Sequence, residues 1–457
     1  MTVIDPRTGT PVREDAWPNP VYSWYVIVVL MVAYTNSYID RTILALLVEP
    51  IRADLNISDT QFSLLHGFAF AVFYTLMGIP LGRMADRRSR RGIMAIGIAF
   101  WSIASAACGL AKNFWQLFIA RVGVGVGEAA LSPAAYSMIA DYFPPHRLGR
   151  AISVYGVGVF IGSGAAFLIG GVVIGLVATA DMIMLPIVGE VRPWQVVFFI
   201  VGLPGLLIAL WVWSLREPKR RNLAVGTAAG QGVPLSEVMA FVRRNRATII
   251  CHFAGFSALT LLFNAVVTWI PALFIRTHGW TAGEIGTALG LSIMVFGTAG
   301  IVAGGWFGDF LTRRGYSDST MRAALIGTAC LWPCVIAAPL VGNAALAVVL
   351  LCPLFFFASF PFGLAAAALQ LMTPNQIRGQ LSAGYLFVVN LTGIGFGPTA
   401  TALVTDFVFG DDLKVGWSMA LVAGVTAPIA MVLLGLGMKH YRVSLERMAA
   451  ETDAVSR

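Results

Sequence analysis

The stretch Phe114–Phe143, FWQLFIARVGVGVGEAALSPAAYSMIADYF, is long and apolar enough to cross a bilayer, yet Arg121 and Glu128 sit inside it. Seven residues are two helical turns less about 20°, so both side chains leave one face, roughly 10 Å apart along the axis. Gly125 lies between them on that face, flanked by Gly123 and Gly127, so another backbone or a ligand can come close. A charge in hydrocarbon costs at least ~2.5 kcal/mol. Two on one face imply a partner or a watery cavity.

The chain around this stretch has 457 residues, 58% hydrophobic and 12% charged, with a mean hydropathy of +0.78. Such a composition belongs to a polytopic membrane protein. Twelve hydrophobic spans are predicted, at 24–47, 60–82, 92–111, 114–142, 150–178, 194–215, 248–274, 284–309, 322–341, 344–372, 381–405 and 415–438. The first twenty residues carry Pro, Asp, Glu and Arg and no cleavable apolar core, so a tail is expected there, not a signal peptide.

The net charge of +8 could point to nucleic acid, but its placement points to a membrane. Of the 31 Lys and Arg, 24 fall in the termini and the even-to-odd loops, five in the opposite loops, and two, Arg41 and Arg121, within spans. The positive-inside rule then predicts that both termini are cytoplasmic. Cys108, Cys251, Cys330, Cys334 and Cys352 all lie in apolar spans, which argues against a disulfide framework. Cys330 and Cys334 lack a nearby His or carboxylate, so no metal is expected. With no P-loop and no Ser/His/Asp order, no cofactor and no chemistry on a bond are expected.

The chain repeats itself. Gly82, Asp86, Arg90, Arg91 and Gly92 recur as Gly305, Asp309, Arg313, Arg314 and Gly315, an offset of 223 residues shared by Gly67/Gly290 and Ser58/Thr281. Pro144 and Gly149 match Pro374 and Gly379 at an offset of 230. The expected architecture is therefore an all-α membrane protein of twelve transmembrane helices in two pseudo-symmetric six-helix bundles. Residues 1–215 and 248–457 form the bundles with their tails, and 216–247 the cytoplasmic linker.

Asp40, Arg41, Arg121 and Glu128 are the charges well inside the spans, and all lie in the first half. By depth, an Asp40–Arg121 or an Arg41–Glu128 contact is possible. The second half offers neutral groups instead: Thr260, Asn264 and Thr268 spaced four apart, then Gln370, Asn390 and Thr392, with Phe355, Phe356, Phe357, Phe360 and Phe362 on one span. A charged wall facing an apolar one suits an amphipathic substrate, although each single Phe is better read as lipid-facing. Intramembrane charges are usually functional; the competing reading is an ion network that only fixes helix against helix. His66 is read as a packing residue.

Two parallel six-span halves with this loop pattern resemble the major facilitator superfamily over essentially the whole chain. Gly82–Arg91 matches its loop 2–3 signature, and Arg121-x-x-x-Gly125 its helix 4 motif. The run Gly156, Gly158, Gly162, Gly164, Gly170, Gly171 is similar to its antiporter motif, without the central proline. Tyr38-Ile-Asp40-Arg41, Phe100-Trp101-Ser102, Phe114-Trp115, Arg121–Ala129 and Ile139-Ala-Asp141 together resemble the Spinster-like lipid transporters.

That resemblance implies alternating access with a lysophospholipid or sphingosine-1-phosphate-like substrate. Asp40 and Glu128 would couple protons, and Arg41 and Arg121 would hold the headgroup. Thr260, Asn264, Thr268, Gln370 and Asn390 would line the cavity. Gly82, Asp86, Arg90, Arg91, Asp309, Arg313 and Arg314 would form a conformational latch, against the plainer reading that such arginines only set topology. The expected partners are a small amphipathic substrate, protons and membrane lipids, with no nucleic acid. A monomer in a bacterial inner membrane is expected. The alternatives are a proton-coupled carrier of a small organic anion or drug-like solute, and a non-transporting receptor or scaffold.

Overall fold

The computed structural model describes residues 17–177, 182–186, 189–220, 234–374 and 376–456. Among these, eleven helices are long and apolar enough to cross a membrane, from Asp59–Ala85 to Asp412–Met448. The helix Pro20–Thr42 precedes them and completes twelve spans. Its hydropathy is diluted by Tyr22, Trp24, Tyr25, Asn36, Asp40 and Arg41, which is why apolarity alone does not select it.

The start of span 1 and the end of span 12 lie at one end of the bundle. Near the start of span 1, Tyr22 Oη accepts from the Arg216 amide at 2.8 Å, just after span 6. On span 12, Ser444 Oγ donates to Asn245 Oδ1 at 2.9 Å, just before span 7. We call this the terminal end and the opposite one the far end. The segment between spans 6 and 7 contains the helix Leu235–Arg244. The loop between spans 5 and 6 pairs Ile183–Leu185 antiparallel with Gly189–Val191, a two-stranded hairpin that the all-α expectation did not include.

The 223-residue echo has a backbone counterpart at the far end. Asn56 (φ 50°) and Gly279 (φ 65°) both end a helix in the left-handed conformation, which Gly adopts freely and Asn tolerates. Two residues on, Ser58 with Gln61 and Thr281 with Glu284 form capping boxes that open spans 2 and 8.

Spans 1–6 meet spans 7–12 mainly along two seams, span 5 against span 8 and span 2 against span 11, and span 7 also touches spans 1 and 2 toward the far end. Both seams depend on missing side chains. A Cβ at Gly286 would stand 2.6 Å from the Phe167 carbonyl oxygen, and one at Gly67 2.5 Å from that of Ile394. Each seam also carries a widened π turn: Leu64–Phe68 faces Asn390–Gly395, and Ile293–Gly297 receives Phe160. Such turns put an extra residue into a helix and are frequent at functional sites.

The described hydrogen bonds and ion pairs across the seams gather toward the far end. Thr60 N donates to Asp406 at 2.8 Å, Ser63 Oγ to Thr399 at 3.1 Å, and Arg276 reaches both Glu49 and Asp59. At the terminal end the described contacts stay within one set of six spans. Arg90 binds Asp141 and Glu217, while Arg322 and Arg442 bind Asp318.

Candidate functional site: the charged cluster of spans 1 and 4

Span 4 is not one continuous helix. It runs from Phe114 to Glu128 and resumes from Leu131 to Tyr142. Pro133 has no N–H for the Ala129 carbonyl four residues earlier, so the ladder breaks directly after Glu128. Span 1 changes at the matching place, tightening into a 3-10 turn over Ile43–Leu47 just past Arg41. Span 2 packs close against span 4 at Gly125, where a Cβ would stand 2.6 Å from the Phe70 carbonyl oxygen.

This packing pairs Arg41 with Glu128. Nε of Arg41 lies 2.5 Å from Oε2 of Glu128, and Ser37 Oγ donates to the same oxygen at 2.5 Å. The Arg41 guanidinium stacks on three rings, 4.9 Å from the centre of Tyr38 and 4.6 Å from those of Phe70 and Tyr74. Aromatic faces favour a desolvated cation, so this box holds the charge where water is scarce.

Asp40 is treated differently. It is fully buried, and its carboxylate accepts from Ser105 Oγ at 2.7 Å and Asn36 Nδ2 at 3.4 Å. Arg121 does not pair with that carboxylate; its Nη1 donates to the Asp40 backbone oxygen at 3.2 Å. Of the two contacts that depth allowed, the side-chain ion pair is thus Arg41–Glu128. Arg121 is 1% exposed, shares the Phe70 ring with Arg41 at 5.8 Å, and leaves Nε without a partner. Oε1 of Glu128 is also buried and unpartnered. One donor and one acceptor are therefore left over in a low-dielectric place, where an unmade hydrogen bond is expensive.

The residues expected to line the cavity fall into three groups. Thr260 and Asn264 are half-buried and bond to their own helix, at Phe256 O and Thr260 O. Thr268 is 2% exposed and lies 3.3 Å from Nε2 of His66 on span 2, so it sits in the seam. Gln370 is exposed, and half-buried Asn390 opens a π turn. His66 stacks on Phe62, and its Nδ1 is buried without a partner. Phe355 and Phe360 are buried within spans 7–12, whereas Phe362 is exposed.

Of the latch residues, Arg90 is fully buried and bonded to Asp141, Ser137, Glu217 and Pro218 O. Arg91 donates to Leu215 O at 2.8 Å, and its amide to Glu217 at 3.0 Å. Burial alone would raise the Glu217 carboxyl, but the bonds from Arg90, Arg91 and Ser89 outweigh it and hold its pKa below the ordinary value. Gly82 packs near Pro133. Asp309, Arg313 and Arg314 are exposed, with Arg314 over the Phe310 ring. The Asp86 side chain lies outside the described residues.

Sequence reasoning missed the ion pairs of the far end, which join Arg276 and Arg52 to Glu49, Asp59 and Asp412. A signal was present. Against the positive-inside bias the far loops hold five cations, and Arg52 and Arg276 are two of them.

Twelve spans meeting along two seams, with buried charges between helices, define a membrane carrier. A family model described as Major Facilitator Superfamily matches residues 30–398, and the chain belongs to that superfamily. It is similar to a Mycolicibacterium smegmatis protein named MFS-type efflux pump, at 28% identity over 93% of this chain and 94% of the relative. It is also similar to the Bacillus subtilis hexuronate transporter, at 25% identity over 87% and 93% of the two chains. Among solved structures it matches a bacterial homolog of the human lysosomal transporter Spinster, inward-facing and unoccupied. The TM-score there is 0.73 at 26% identity, over 94% of this chain and 98% of that one. The chain is Spinster-like within its superfamily and is not an enzyme.

Proposed function

We propose that this protein is a proton-coupled secondary transporter of an amphipathic lipid, a lysophospholipid or a sphingosine-1-phosphate-like molecule. Asp40 and Glu128 carry the proton, and Arg41 and Arg121 receive the headgroup. The observation that carries this reading is the buried cluster itself. Arg121 Nε and Glu128 Oε1 lack partners beside a carboxylate, Asp40, bonded only by neutral side chains. An anionic headgroup arriving at Arg121 would meet a donor already desolvated, and Glu128 could exchange Arg41 for a proton. With the terminal end cytoplasmic, as the loop charges favour, the seam bonds of the far end correspond to an inward-facing state. A bacterial inner membrane, a monomeric unit and two six-span bundles as the moving bodies complete the proposal.

A second reading, a proton-coupled carrier of a small organic anion, is favoured by the similarity to a hexuronate transporter and by the same arginines. Uptake of labelled lysolipid and of hexuronate into proteoliposomes, each with and without a pH gradient, separates the two. Gradient-dependent lysolipid uptake supports the first; hexuronate uptake alone replaces it with the second.

A further inference from the structure

We infer that Arg276 is the positioning residue that holds the far end shut, a clasp between the two sets of six spans. The inference rests on the chain being a carrier, which its superfamily establishes, and not on which substrate it carries. Arg276 ends span 7, yet its shortest bonds go to the other set of spans, with only a 3.4 Å contact to Asp412 O in its own. Nε donates to Glu49 at 2.7 Å, and Nη1 and Nη2 each donate to Asp59 at 2.7 Å. Its side chain is 5% exposed and the Asp59 side chain 0%, so this pair is shielded from solvent in a way that ordinary surface pairs are not. Bidentate pairing of this kind fixes geometry as well as charge.

Arg52 completes the clasp from the opposite direction. It belongs to spans 1–6, and its Nη1 lies 3.0 Å from Asp59 of its own set and 2.9 Å from Asp412 of the other. Each set therefore contributes one arginine and presents carboxylates to the other, and Asp59 is shared by both arginines. Just below, Thr60 N bonds Asp406 and Ser63 bonds Thr399. The far end cannot part without separating Arg276 from Asp59 and Glu49. The bonds that cross between the two sets exist only in the state closed at this end and so bias the equilibrium, whereas Arg52–Asp59 lies within spans 1–6 and is neutral to it.

The arrangement assigns different consequences to Arg276 and to an arginine of similar chemistry elsewhere. Arg322 pairs with Asp318, but both lie in spans 7–12 at the terminal end, so that pair survives whichever end opens. Loss of Arg322 should loosen the protein without choosing a side.

The test reads the opening directly. Ser63 is fully buried in the seam, so a cysteine placed there reacts with a membrane-impermeant maleimide only when the far end parts. The reporter Ser63→Cys is made after all five native cysteines, Cys108 included, are replaced by serine. Arg276→Gln should raise its labelling rate from the far-end face about tenfold or more, the shift that loss of one charge-assisted hydrogen bond produces. Glu49→Gln, on a partly exposed carboxylate, should raise it less and serves if Arg276→Gln folds poorly. Arg322→Gln should leave it unchanged. Unchanged labelling in a folded Arg276→Gln protein, or an equal rise in Arg322→Gln, would overturn the clasp.

Discussion

Arg41 and Glu128, separated by 87 residues in sequence, form one ion pair whose 2.5 Å contact joins span 1 to span 4. Removing one member of such a pair strands the other in a low-dielectric setting, which commonly costs about 3–5 kcal/mol. Glu128→Gln keeps size and most hydrogen bonding but leaves Arg41 in its aromatic box without a counter-charge. The expected outcome is a lower melting temperature together with loss of gradient-driven uptake. Wild-type pH-driven flux in this variant would remove Glu128 from any proton path.

Asp40 should separate function from stability more cleanly. Among the described residues no guanidinium hydrogen-bonds its carboxylate, and an amide oxygen can still accept from Ser105. Asp40→Asn is therefore expected to change stability by no more than about 1 kcal/mol, the scale of one neutral hydrogen bond. Accumulation driven by a pH gradient should be lost, while substrate-for-substrate exchange, which moves no net proton, should persist. Counterflow and gradient-driven uptake measured side by side decide the matter. Loss of both with a collapsed melting temperature would make Asp40 a structural group.

The neutral wall gives a smaller prediction. Asn264 already donates to Thr260 O at 2.8 Å, so only part of its amide is available to a substrate. Asn264→Leu should weaken binding by roughly 0.5–1.5 kcal/mol. Arg121→Ala, which removes a buried charge, should lose far more, most of all for phosphate-bearing substrates. Equal losses at the two positions would contradict a charged wall facing a neutral one.

Helix contact in the core can be tested at two glycines. A Cβ at Gly125 would press on the Phe70 backbone carbonyl at 2.6 Å, and backbone cannot swing aside. Gly125→Ala should cost about 1–3 kcal/mol, as overpacking does. A Cβ at Gly156 meets nothing within 4 Å, so Gly156→Ala should be neutral or slightly stabilising. Thermal melting in detergent compares them directly.

Glu217 predicts an acid sensitivity at the terminal end. Its pKa is lowered in the folded protein, so the unfolded chain binds the proton more readily. Its contribution to stability is fully present above the ordinary glutamate value and is lost as pH falls through the lowered one. Glu217→Gln should therefore reduce the difference in melting temperature between neutral and acidic buffer. An identical pH profile in both proteins would show that its bonds to Arg90 and Arg91 contribute nothing.

Much of this protein was legible along the chain because the signals are local. Solvent sets them: apolar runs long enough to span a bilayer, lysines and arginines biased to alternate loops, and a repeat that returns after 223 residues. The seven-residue spacing placed Arg121 and Glu128 on one face of span 4, and depth brought Asp40 level with Arg121. Which cation meets which carboxylate was not legible. That depends on how far each helix is rotated and how high it sits against its neighbours. Close approaches such as Gly125 to Phe70 set those quantities across more than fifty residues of sequence. Tertiary structure alone gave Glu128 to Arg41, turned Arg121 to a backbone oxygen, and buried Thr268 in a seam against His66. It alone carried Arg276 across to Asp59, 217 residues away, because no periodicity within a helix can state what the helix will face.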